Sequence, residues 1–110
     1  MPFNSVAITI TAGTAKPVIP AFNPVLSRCI RITMLHAAAC EVAYLLNGPT
    51  GAVLTKSAQN LVTEIAPASA TVPGAMVVLQ RRAGEPPYNV EEFQIDGAHT
   101  GDVVQVSWEP

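Results

Sequence analysis

RITMLHAAACEVAYLLNG (31–48) is the stretch whose reading decides the fold. It opens with the alternation of a buried strand, passes through an alanine-rich middle suited to a helix, and ends as a strand again. Its middle carries His36 and Cys40, four apart, which on a helix would share one face as metal ligands do. The alternative is two strands joined by a tight tip. Pairing Ile32 with Tyr44, Ile30 with Leu46 and Met34 with Val42 gives one continuous apolar face, as a half-buried sheet requires. A helix of about ten residues would displace that face. Register therefore predicts a β-hairpin with His36–Cys40 at its tip.

The same period of two continues outward. In SVAITITAG (5–13), Val6, Ile8 and Ile10 alternate with Ala7, Thr9 and Thr11. KPVIPAFNP (16–24) carries three prolines, which cannot donate to a ladder, so it predicts a short edge strand and then an extended loop. SRCIRITML (27–35) puts Ile30, Ile32 and Met34 on one face, and EVAYLL (41–46) does the same with Val42, Tyr44 and Leu46. After the turn NGPTG (47–51) come a short strand in AVLTK (52–56) and another in QNLVTEIA (59–66). The loop PASATVPG (67–74) then leads to AMVVLQRR (75–82), a strand nearly apolar on both sides. AGEPPYN (83–89) is a loop, and VEEFQI (90–95) and GDVVQVSW (101–108) are the last strands. Seven to nine short strands, spaced as in sandwiches and barrels, predict a single all-β domain over residues 1–110. Residues 1–4 read as an extended arm.

Composition bounds the function. The chain is 49% apolar and 13% charged with net charge −2, where soluble domains carry about 25% charged residues. That shortage of charge predicts a surface normally covered by a partner. Six basic residues, scattered except for Arg81-Arg82, are too few for a nucleic-acid footprint. No run approaches the ~20 apolar residues of a membrane span, and MPFNSVAITI (1–10) lacks the pattern of a secretion signal. A reducing site of synthesis is expected.

Chemistry finds little support. Two ligands without a C-x-x-C or H-x-x-x-H partner do not make a zinc site. In the hairpin register Cys29 lies away from Cys40, so both are expected as free thiols. VEEFQIDGAHTGD (90–102) packs four carboxylates and His99 into thirteen residues. It lacks the spacing of a calcium loop and reads as charge solvated at strand ends. With no G-x-S-x-G elbow and no phosphate-binding loop, no catalytic, cofactor-binding or metal residues are assigned. Partner-interface candidates are Arg81, Arg82 and Tyr88, residue types enriched at interfaces, with Pro2, Phe3, Asn4, Pro20 and Phe22 as apolar or proline-stiffened contacts. Six aromatics with one Trp argue against a carbohydrate-binding module.

The order of pieces is informative. ITAGTA (10–15) ends a strand, SRCIRITML (27–35) and AYLLNG (43–48) follow, and VEEFQIDGAHTGDVVQVSW (90–108) closes the chain. This resembles small all-β bacteriophage capsid decoration (cement) proteins, with a G-T-A edge, an I-x-I-x-x-L strand and an ending of the form Asp-Gly…Gly-Asp-x-Val-x-V. HAAAC (36–40) departs from the Gly/Asn-rich tip of that pattern. The resemblance implies a jelly-roll-like sandwich that is not an enzyme and needs no cofactor. It would form a homodimer or homotrimer on the outer surface of the virion and clamp the major capsid protein after synthesis in the bacterial cytoplasm. A head-fibre base, a neck protein or a tail protein is the alternative virion role.

Overall fold

The computed structural model describes residues 4–20, 24–35 and 40–110. The described strands are β1 (Asn4–Thr9), β2 (Lys16–Pro17), β3 (Leu26–Ser27), β4 (Cys29–Met34), β5 (Ala43–Asn47), β6 (Leu61–Ile65), β7 (Val77–Gln80), β8 (Tyr88–Asn89), β9 (Phe93–Gly97) and β10 (Val103–Trp108). A single 3-10 turn, Val90–Glu92, stands before β9, and there is no α-helix among the described residues. The fold is all-β and antiparallel.

Its pairings are nested. β1 pairs with β10, β2 with β9, β3 with β8, β4 with β7, and β5 with β6. The chain is thus one long two-stranded ribbon closing at β5–β6. Two further ladders, β10 with β4 and β9 with β5, join the ribbon to itself. The result is two four-stranded sheets, β1-β10-β4-β7 and β2-β9-β5-β6, with β3-β8 as a small third.

The predicted hairpin of β4 with β5 is not formed. β4 lies between β10 and β7, while β5 lies between β9 and β6 in the other sheet. The chain crosses between the sheets, so the two apolar faces meet across a core instead of lining one side of one sheet. The face of β4 is as expected, with Ile30, Ile32 and Met34 buried. The face of β5 is reversed: Ala43 and Leu45 enter the core, and Tyr44 points outward, half-buried. Leu46 is fully buried yet stands outside the core cluster, and the β5–β6 register shifts between Leu45 and Leu46. The expected tip residues His36–Ala39 lie outside the described residues. Cys29 faces Gln80 rather than the Asn47 region, and both cysteines are free.

Ile8, Ile30, Ile32, Met34, Val104, Val106 and Trp108 of the first sheet pack on Ala43, Leu45, Ile65, Phe93 and Ile95 of the second. Each large aliphatic side chain buried here contributes about 1.5–3 kcal/mol before conformational entropy is counted. Gly97 ends β9 opposite Ala43, and a Cβ there would meet Ile10 Cδ1 at 2.8 Å, so the absent side chain lets Ile10 close that end of the core. β2 is the short edge strand expected of KPVIPAFNP. AVLTK forms no strand. Instead, the buried Gln94 on β9 donates through Nε2 to Ala52 O (2.6 Å) and accepts from Leu54 N (3.0 Å). That side chain holds the 52–54 segment over the second sheet, beside Leu46, its cross-strand partner.

Candidate interaction surface

β6 and β7 are the outer strands of their respective sheets, joined by residues 66–76. β6 also touches β4, the neighbour of β7, across the core, so both outer edges, which carry no further strand among the described residues, lie on one flank. Between Leu61 and Gln80 the only charged residue is Glu64. Apolar side chains stand open along this flank, among them Leu61, Val62, Val72 (59% exposed), Met76 (56%) and Val78 (50%). Natural edge strands are usually blunted by charge, proline or a covering loop. The opposite edge of the first sheet differs, since β1 exposes Asn4, Ser5, Ala7 and Thr9.

The end of β7 runs into the most basic corner of the molecule. All four arginines of the chain belong to it: Arg28 just before β4, Arg31 on β4, and Arg81 and Arg82 beyond β7. Arg81 N donates to Arg28 O at 2.8 Å, continuing the β4–β7 ladder. The Arg81 guanidinium lies 4.6 Å from the centroid of the Tyr88 ring and 3.8 Å from a Glu85 carboxylate oxygen. Glu85 Oε1 also accepts from Arg82 N, and Arg28 donates to Glu85 O. Tyr88 in turn packs at 5.9 Å on Phe93 at the core margin. The aromatic ring and the carboxylate hold Arg81 in place with its charge exposed.

The structure therefore brings Arg81 and Tyr88 together, with Arg82 beside them. Asn4 is not part of this surface: it opens β1 on the far edge of the sheet, opposite Trp108. Pro20 is exposed in the loop after β2. Pro2, Phe3 and Phe22 lie outside the described residues. Sequence reasoning missed Arg28, Glu85 and the apolar flank. The signal available for the flank was the nearly charge-free run from Leu61 to Gln80.

Within the acidic segment 90–102, Asp102 departs from the reading as solvated charge, while Glu91, Glu92 and Asp96 stay partly exposed. Asp102 is 2% exposed. One carboxylate oxygen lies 2.6 Å from His99 Nδ1, and the other accepts from Glu41 N at 2.9 Å. Its main-chain oxygen accepts from Ile10 N at 2.7 Å. One residue thus fastens the β9–β10 turn to the end of the β1 segment and to the start of the β5 segment. The hydrogen bond to Asp102 raises the His99 pKa above 6.5 despite partial desolvation, and the charges of Asp102 and Glu41 add to the rise. Burial pushes the Asp102 carboxyl up, but the Glu41 N–H, His99 and the Cys40 thiol together outweigh it and hold it below 3.8. The carboxylate stands between thiol and ring, so this group acts as a clamp. Among the described residues, no group of three or more His, Cys, Asp or Glu side chains is placed to hold a metal ion.

Comparison with protein-family models, with curated proteins and with solved structures gives no match.

Proposed function

We propose that this chain is a non-enzymatic virion structural protein, a jelly-roll β-sandwich that binds the outside of a phage head and stabilises contacts between major capsid subunits. The observation that carries this reading is the flank from Leu61 to Gln80, two adjacent free sheet edges with exposed apolar side chains and one charge. A surface of that kind marks a protein interface. The nested ribbon with its two closing ladders supports the jelly-roll reading, since rolling such a ribbon brings its strands into two facing sheets. The order of sequence motifs supports the virion role, and self-association as a homodimer or homotrimer belongs to the same reading. Arg81, Arg82 and Tyr88 supply polar anchoring at the end of the flank.

Co-sedimentation with expanded heads of the phage that encodes the chain tests the proposal. The expected result is saturable binding and a higher melting temperature of the heads. Heads left unbound, with unchanged thermal stability, overturn it.

A further inference from the structure

The free edge of β7 has a definite hydrogen-bonding parity. In an antiparallel ladder, residues alternate between pairs that exchange both hydrogen bonds and pairs that exchange none. Arg81 N donates to its register partner Arg28 O, which makes 81–28 a bonded pair. Leu79–Ile30 and Val77–Ile32 are then bonded pairs as well, while Val78–Arg31 and Gln80–Cys29 are not. The β10 side of β4 agrees, because Glu109 N donates to Cys29 O and so turns Cys29 away from β7. The main-chain N–H and C=O of Val78 and Gln80 consequently point out of the sheet.

The side chains along this edge also alternate. Val77 and Leu79 are half-buried and pack on the core cluster, leaving an apolar rim on the inner face. Val78 and Gln80 are exposed on the outer face, where Val78 is the cross-strand partner of Arg31. Arg81 and Arg82 stand just past the strand end and Arg28 across from them. At this corner four arginines face two carboxylates, Glu85 and Glu109, whereas the rest of the chain carries six carboxylates against two lysines.

We infer that β7 accepts an extended segment of a partner protein as an added antiparallel strand, and that this segment alternates apolar and acidic side chains. This rests on the proposed docking role of the flank and names the chemistry of its partner. Main-chain bonds from Val78 and Gln80 supply affinity, the apolar side chains cover Val77 and Leu79, and the carboxylates meet the arginines of the outer face and strand end.

The probe is a seven-residue peptide alternating valine and glutamate, compared with its valine–lysine counterpart by NMR titration of the full chain. The glutamate peptide is expected to bind at least tenfold more tightly, to shift the Val78 and Gln80 amides, and to weaken as salt rises. Val78→Pro removes an outward N–H and no ladder bond, so the protein keeps its fold and loses the peptide. Should that variant not fold, the double variant Arg81→Glu, Arg82→Glu decides: its preference must fall or reverse toward the lysine peptide. Equal binding of the two peptides, shifts confined to β6 or β1, or undiminished binding by Val78→Pro each overturn the inference. So does a dimer of the free chain that Val78→Pro dissociates, because a second copy would then occupy the edge. Heads that still bind Val78→Pro leave the proposed function standing while this inference falls.

Discussion

Asp102 shows what one residue does in this fold. Its carboxylate and main chain tie together three segments that are distant in sequence, Ile10, Glu41 and the 98–102 turn. Asp102→Ala leaves the Glu41 N–H without its acceptor and is expected to cost about 1–3 kcal/mol, measured by chemical denaturation. The pairing also sets a pH dependence. The His99 pKa is raised, so its stabilisation is fully present below pH 6.5 and is lost as the pH climbs through the higher folded value. The Asp102 pKa is lowered, so its stabilisation is present above pH 3.8 and is lost as the pH falls through the lower folded value. Melting temperatures of the native chain and of His99→Gln should therefore differ most well below pH 6.5 but still above pH 3.8, and converge in alkaline buffer. This clamp was not legible in VEEFQIDGAHTGD. A carboxylate three residues from a histidine is usually solvated, and only the β9–β10 turn and the crossing chain at Glu41 bury it.

At the scale of elements, β4 was legible and β5 was not. Ile30, Ile32 and Met34 alternate with polar or smaller neighbours, so the face they share is the one that must enter the core. EVAYLL is apolar on both faces, and both are covered, Ala43 and Leu45 by the core and Leu46 on the outer side beside Gln94. Alternation cannot choose a register under those conditions, and the hairpin reading took the wrong one. The strands β3 and β8, two residues each, leave no periodic trace at all. Gln94 accounts for the covered outer side. Gln94→Ala removes both bonds to the 52–54 segment and is expected to cost about 1–3 kcal/mol, with faster hydrogen exchange at the Leu54 amide. Exchange at Leu45, inside the core, should change far less. On the core side, Ile32→Ala empties a fully buried site and is expected to cost about 2–5 kcal/mol.

The whole molecule is a ribbon that opens with Asn4 beside Trp108 and closes at β5–β6, and the arm leaving that closure, β6 to β7, forms the low-charge flank. Overall class followed from periodicity, and the covered-surface expectation followed from the shortage of charge. Where the exposed apolar flank lies was not legible, because it depends on which strands become edges, and the nesting of pairs decides that. The arginine corner adds a salt dependence: docking led by Arg28, Arg31, Arg81 and Arg82 should weaken markedly between low and physiological ionic strength, as sedimentation at several salt concentrations will report. Hydrogen exchange of the chain with and without expanded heads tests the central claim most directly. The account predicts protection concentrated in residues 61–82, with the outer edge of β1 unchanged. Protection centred on β1, or bound protein with no protection in 61–82, would contradict it.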